Sequence, residues 1–383
     1  MTKKHRLLRS FLSMLVCFCM LSAMAACKNT GKSPDNNISQ STGDTLTQST
    51  ESSATQSTEP SDTQATQASA QATEPTTEPS TAPTTTPTTT PTTEPTTEPT
   101  ELIDPNIYKH VIIVGIDGGG TFFKNANTPN IDRIFANGAI TYAAVTENPS
   151  ISAQSWTSLL HGITNDYHGI TNEIASTTPY PTDSPFPSVF KVIKQNDPMA
   201  RVGSICTWEP INKGIVENGL GVFRTSRSTD GEAASEAISY IYVHAPTFLF
   251  VQLGDTDYLG HRDGFGSDTF YETLEQADSY IGQIYDACKT KGLLEDGLFI
   301  VTADHGGIQN DHGGLTDEER LIMFAATGKT VQKGTIGEME IRDTAAIVLH
   351  ALGYEQPKTW TARVPSGLFK GVTAGERPVY NGD

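Results

Sequence analysis

Three short stretches of this chain are apolar almost without interruption: Val111-Ile112-Ile113-Val114-Gly115-Ile116, Thr247-Phe248-Leu249-Phe250-Val251-Gln252-Leu253 and Leu298-Phe299-Ile300-Val301-Thr302. A strand with one solvated face alternates apolar and polar residues, so a continuous run calls for a strand covered on both faces. Helical patterns lie around and between these runs: Ile131 to Asn137, stopped by Gly138, then Glu232 to His244, and about Tyr271 to Lys291. Buried strands alternating with helices predict an α/β domain, a doubly wound, mostly parallel sheet flanked by helices.

The segment from about Asn29 to Thr100 is built of Ser, Thr, Gln, Pro and Glu, with near-repeats such as Thr76-Thr77-Glu78-Pro79 and Thr96-Thr97-Glu98-Pro99. With almost nothing to bury, it cannot offset its ordering entropy, and it is expected to be an extended, partly polyproline tether. Ahead of it, Lys3, Lys4, Arg6 and Arg9 precede an apolar run from Leu12 to Leu21, too short to span a membrane as a helix, that ends in Met24-Ala25-Ala26-Cys27. This pattern resembles the bacterial lipoprotein cleavage box. It implies a lipid on Cys27 and anchoring on the outer face of the bacterial cell membrane. The expected organisation is a signal peptide over 1–27, a linker over 28–103 and a catalytic domain over 104–383.

The chain has 26 Lys and Arg against 44 Asp and Glu, six and nine of them before residue 101, so the remainder carries 20 basic and 35 acidic residues. Such an acidic surface argues against generic nucleic-acid binding. Of five cysteines, cleavage would leave Cys27, Cys206 and Cys288; no disulfide framework is implied, and pairing of the last two is left open by their spacing.

Each apolar run ends in chemistry. Asp117 follows the first, Asp255 and Asp257 the second, Asp304 and His305 the third. In open α/β sheets ligands bind at the carboxyl ends of the strands, and three such ends with carboxylates, two also bearing imidazoles, outnumber what turns and helix caps call for. Asp257-Tyr258-Leu259-Gly260-His261 sets a carboxylate and an imidazole four residues apart, and Asp304-His305-Gly306-Gly307 and His312-Gly313-Gly314 follow. Oxygen and nitrogen donors of this kind suit zinc or manganese, and the adjacent glycines let the backbone pass close to an ion.

In combination these motifs resemble the alkaline phosphatase superfamily, and within it the type I phosphodiesterase/nucleotide pyrophosphatase group, over residues 110 to 370. The matching segments are Val114-Gly115-Ile116-Asp117-Gly118, Pro149 to Trp156 leading to His161-Gly162, Asp257-x-x-x-His261, Thr302 to Gly307, and His312-Gly313. The resemblance implies a phosphoric-ester hydrolase with two divalent metals. Asp117, Ser152, Asp304 and His305 would hold one, and Asp257, His261 and His312 the other. Ser152 would be the nucleophile, nine residues before His161; Ser150 and Ser155 fall off that count, and Asp255 falls off the metal spacing. A metal that lowers the serine pKa makes a separate general base unnecessary, and the pair would clamp phosphorus oxygens while a seryl intermediate forms and is hydrolysed.

One position departs from the group. Related phosphodiesterases carry an asparagine three residues after the nucleophile, and this chain has Ser155. Ser155 is expected to meet substrate at this position, but its hydroxyl reaches less far, so a water or another donor such as Asn172 would fill the gap, or phosphate would be held more weakly. Phe123, Trp156, Trp208, Tyr258 and Arg262 are candidates for contacting the substrate, with Lys124 or Arg262 able to meet a second phosphate. Asp343 to Gly353 reads as a scaffold helix, with His350 structural. A sulfatase of the same fold needs Pro and Arg after its nucleophile, whereas Ser152 is followed by Ala153-Gln154-Ser155-Trp156. A phosphomonoesterase, or a surface binding protein that has lost catalysis, are the remaining readings. Neither substrate nor metal identity is fixed by these residues.

Overall fold

The computed structural model describes residues 107–382, so the expected signal segment, Cys27 and the 28–103 linker lie outside the described residues. Eight strands form one sheet: β1 (His110–Ile116), β2 (Ala139–Val145), β3 (Val202–Cys206), β4 (Phe223–Ser226), β5 (Phe248–Leu253), β6 (Gly297–Ala303), β7 (Leu321–Thr327) and β8 (Gly334–Thr335). Their order is β4-β3-β5-β1-β6-β7-β2-β8. Only β7 runs against its neighbours β6 and β2; the other pairs are parallel. The three apolar runs are β1, β5 and β6, adjacent at the centre of the sheet, which is why they lack alternation.

Successive side chains of these strands feed two cores. Val111, Ile113, Phe248, Phe250, Leu298 and Ile300 join one; Ile112, Val114, Leu249, Val251, Phe299 and Val301 join the other. Helices α1 (Pro129–Phe135), α5 (Asp230–His244) and α7 (Asp268–Thr290) bury residues in the second. Helices α2 (Ser152–His161), α4 (Val189–Asn196) and α8 (Asp343–Leu352) cover the first. Between them chain order places α3 (Asn172–Thr177) after α2, and α6 (Asp255–Asp263) after α5.

Capping sets the helix ends a little ahead of where apolar periodicity alone puts them. Thr229 accepts from the Glu232 N–H, so α5 starts at Asp230, and Ser267 accepts from the Phe270 N–H, so α7 starts at Asp268. Pro129 opens α1. Gly353 closes α8 in the left-handed conformation at φ 74°, and α8 packs as scaffold. Cys206 and Cys288 are both buried as free thiols, which closes the question of their pairing. Among the described residues no helix is long and apolar enough to cross a membrane.

The register of the central strands builds the site. Ile116 pairs with Leu253 on one side and Ala303 on the other. The three strands therefore end abreast, and Asp117, Asp255 and Asp304 leave the same edge of the sheet.

Candidate active site

Asp117 emerges from β1 with one carboxylate oxygen fully engaged. Its Oδ2 accepts from the Trp156 indole Nε1 at 3.0 Å and from Gln252 Nε2 at 2.9 Å. The other oxygen, Oδ1, faces Ser152 Oγ at 3.5 Å and His305 Nε2 at 3.5 Å. Gly115 makes this possible, since a Cβ there would lie 2.4 Å from the Trp156 ring that packs beneath Asp117. Just beyond Asp117, Gly118 sits at φ 67° and lets the backbone pass against Asp257.

Ser152 opens α2. It is 6% exposed, and its Oγ lies 3.2 Å from His305 Nε2. His305 and Asp304 follow β6; the Asp304 Oδ1 accepts from the Gly118 and His305 N–H groups at 3.0 and 2.9 Å, while Oδ2 has no hydrogen-bond partner and stands 3.3 Å from His305 Nε2. Asp257 and His261 share one face of α6 at i, i+4 spacing, with Oδ2 and Nε2 3.5 Å apart. His312 completes that group, its Nε2 3.8 Å from Asp257 Oδ1 and 3.1 Å from His261 Nε2. The His305 and His312 rings stack at 3.7 Å, so the two groups adjoin.

The three imidazoles are oriented alike. Each donates Nδ1–H to a backbone carbonyl: His305 to Gly306 at 2.9 Å, His312 to Ser150 at 2.8 Å and His261 to Asn310 at 2.9 Å. A carbonyl only accepts, so a proton is on Nδ1, and in the neutral ring each Nε2 presents its lone pair to the carboxylates. With both rings neutral, the His261 and His312 Nε2 lone pairs, 3.1 Å apart, repel unless a proton or a cation lies between them.

The titration of the cluster points the same way. Burial, followed by neighbouring carboxylates, holds Asp304 well above the usual carboxylate range and pushes Asp257 up to about 8; burial also raises Asp117, against hydrogen bonds that lower it. Burial holds His305 well below, and His312 below, the usual imidazole range. Asp257 Oδ1 and Asp304 Oδ2 are buried oxygens without a hydrogen-bond partner. Two groups of donor atoms lie close enough to share an ion, Asp257 with His261 and His312, and Asp117 with Asp257 and His305. Crowded carboxylates, unprotonated imidazole nitrogens and orphaned oxygens fit divalent cations, whose charge would return the carboxylates to their ionised form.

Asp117, Ser152, Asp257, His261 and His312 line a cavity of about 990 Å³, with Asn172, Trp208, Asp255, Tyr258 and Arg262 around it, while Asp304 and His305 are fully buried. Asn172 Oδ1 accepts from the Ala153 N–H at 3.0 Å, which leaves the amide NH₂ as its remaining polar group beside Ser152. Tyr258 is 63% exposed at the mouth. Three residues expected to meet substrate lie elsewhere. Trp156 is fully buried against Phe250 and acts on Asp117; Ser155 is fully buried with its Oγ 2.9 Å from Thr146 Oγ1. Both stand one turn beyond Ser152, at the i+3 and i+4 positions that share its side of α2, where the helix is fully buried. Phe123 is likewise in the core, and the Lys124 ammonium lies over the Tyr142 ring at 5.1 Å. Gln252 joins the site without being among the residues expected there; its one sequence signal is a polar side chain inside an apolar strand.

The profile of the family described as type I phosphodiesterase/nucleotide pyrophosphatase matches residues 111–352. The chain belongs to this family. That span runs from β1 to the end of α8 and contains every donor described above. Solved structures show the same fold at low identity. Inactive murine ectonucleotide pyrophosphatase/phosphodiesterase 5 in complex with AMP superposes with a TM-score of 0.55 at 14% identity, over 64% of this chain and 96% of that one. The putative sulfatase yidJ from Bacteroides fragilis gives 0.54 at 16% identity, over 70% and 79%, and the 2-O glycosaminoglycan sulfatase BT1596 gives 0.53 at 11%, over 65% and 72%. Among curated proteins none matches the chain. The phosphodiesterase/pyrophosphatase family groups metal-dependent hydrolases of phosphoric esters, within the alkaline phosphatase superfamily.

Proposed function

We propose that this chain hydrolyses phosphodiesters with Ser152 as nucleophile, using two divalent cations, zinc or manganese, held by Asp117, Asp304, His305 and Ser152 and by Asp257, His261 and His312. The observation that carries this reading is the common orientation of the three imidazoles, each fixed through Nδ1 so that its Nε2 faces the buried carboxylates. When bound, such cations lower the pKa of a hydroxyl and neutralise charge on phosphorus oxygens.

The chain's own residues do the remainder. Ser152 is presented at the first turn of α2 with Oγ directed at the cluster. Its attack forms an O–P bond as the bond to one alcohol breaks; the serine proton leaves with that alcohol, and water then releases the phosphomonoester and restores the hydroxyl. Trp156 and Gln252 hold Asp117 so that Oδ1, not Oδ2, faces the reaction. The Asn172 amide NH₂ is assigned to a nonbridging phosphate oxygen, the duty left open by Ser155.

The test is turnover of bis-p-nitrophenyl phosphate against p-nitrophenyl phosphate with added zinc or manganese, in the native protein and in Ser152→Ala. Metal-dependent release favouring the diester, abolished in Ser152→Ala with metal content intact, is the expected result. Preference for the monoester would make the chain a phosphatase, and a fully active Ser152→Ala would remove the nucleophile assignment. Attachment through Cys27 to the outer membrane face is proposed from the signal pattern alone; Cys27→Ala should shift the protein from the membrane fraction to the medium.

A further inference from the structure

Beyond the reacting groups the cavity continues between two walls. One is a face of the first turns of α7, where Thr269, Glu272, Thr273 and Gln276 recur at helical spacing; the other holds Ser228 and Thr229 just before α5. Asp255 also lines the cavity, its Oδ2 accepting the Asp230 N–H at 3.2 Å. Trp208 and Tyr258 add aromatic faces.

The charge of this region is one-sided. Among the described residues that line the cavity, Arg262 is the single lysine or arginine, and its Nε and Nη2 are already paired with Asp263 at 2.8 and 2.5 Å. A substituent carrying a further phosphate would meet Asp255 and Glu272 with no uncommitted cation to receive it. An ammonium would satisfy the carboxylates, but it only donates, and the Ser228 and Thr229 hydroxyl protons would go unanswered, those of Thr269 and Thr273 being already given to Asp263 and to the Thr269 carbonyl. Hydroxyl groups donate to carboxylates and accept from hydroxyls and amides alike, and their C–H faces pack on aromatic rings.

We propose that, given the phosphodiester hydrolysis proposed above, these walls take an uncharged polyhydroxylated group, a polyol or a sugar, as one substituent of the diester. Glu272 and Asp255 are then the residues that exclude oligophosphates from the site.

The test uses the full chain loaded with zinc and four p-nitrophenyl phosphodiesters whose second substituent is methyl, glycerol, glycerol monophosphate or choline. The methyl diester is too small to reach the walls and reports on hydrolysis alone. The expected result is a kcat/KM for the glycerol diester at least about tenfold above the glycerol monophosphate and choline diesters, the size of one lost hydrogen-bonded contact. Glu272→Gln should raise the glycerol monophosphate diester relative to the glycerol diester by about fivefold, the size of one exposed charge interaction. Turnover of the methyl diester with equal rates for the other three, or a preference for the choline or phosphate-bearing diester, would overturn the inference and leave the hydrolase reading standing. No turnover of any diester would overturn that reading instead. The walls are then judged by quenching of Trp208 fluorescence, which should still favour the glycerol diester, and equal quenching by all would overturn the inference as well.

Discussion

Gln252 donates its side-chain Nε2–H to Asp117 Oδ2 at 2.9 Å from within a strand whose other residues, from Phe248 to Leu253, are all apolar. Its Oε1 meanwhile accepts from the Thr207 and Trp208 N–H groups at 3.0 and 2.9 Å. One buried amide thus ties the carboxylate that faces Ser152 to the loop that carries a cavity-lining indole. A buried amide in a central strand is tolerated only when its nitrogen and its oxygen both find partners, and here both do.

Replacing it separates these duties from packing. Gln252→Leu leaves the Trp208 N–H unpaired and the Thr207 N–H with only its main-chain bond to the residue 252 carbonyl, 3.2 Å away, which should cost about 1–3 kcal/mol in urea unfolding. Asp117 keeps only the Trp156 bond on Oδ2, and affinity for zinc should fall about 10- to 100-fold, as when outer partners of metal-binding side chains are lost. An unchanged zinc titration would show that Trp156 suffices.

Asn172→Asp keeps the oxygen that receives the Ala153 N–H and removes the NH₂ assigned to phosphate. The expected outcome is a KM for bis-p-nitrophenyl phosphate raised by about tenfold or more, the loss of one charge-assisted hydrogen bond, with zinc content unaltered. A KM equal to that of the native protein would mean that phosphate is held by another group.

Asp230, buried at the start of α5, accepts from the Gly254 N–H at 2.7 Å, and burial followed by the Asp255 charge pushes it up to about 7. Between about pH 4 and pH 7 the folded chain holds a proton that the unfolded chain has released, so this group favours folding at the low end and loses that contribution as pH rises through 7. Asp230→Asn retains the Oδ1 acceptor and removes the titration. In chelator, the stability of the native protein relative to this variant should fall by about 2–4 kcal/mol between pH 4 and pH 8, since each tenfold difference in proton affinity between the folded and unfolded chain is worth about 1.4 kcal/mol. Parallel stability curves would refute the assignment.

How much of this is legible in the sequence depends on what each residue does. Strands β1, β5 and β6 announce themselves because both of their faces are buried, and the aspartates at their ends follow from that. The edge strands β4 and β8 do not; they are short, and β8 has only two residues. The reversed direction of β7 is set by tertiary pairing and leaves no local mark. Asp257 and His261 are legible as a pair, and α6 supplies the helical face that their spacing implies. Trp156 and Ser155 lie away from their expected places because their spacing from Ser152 gives the side of the helix and not the depth, and one turn on α2 is fully buried. Gln252 escapes a reading of local pattern because its partners, Asp117 and Trp208, are 135 and 44 positions away.

The imidazoles of His261, His305 and His312 take their orientation from the carbonyls of Asn310, Gly306 and Ser150, and not from any side chain. A point substitution can delete one of these rings, but none can flip its tautomer by removing a partner, because the partner is the main chain itself. The competence of the cluster is inherited through loop conformation. Anyone grafting the constellation onto another scaffold would have to carry over the course of the loops at 148–151 and 305–314, and copying the side chains alone would transplant the donors without the instruction that aims them.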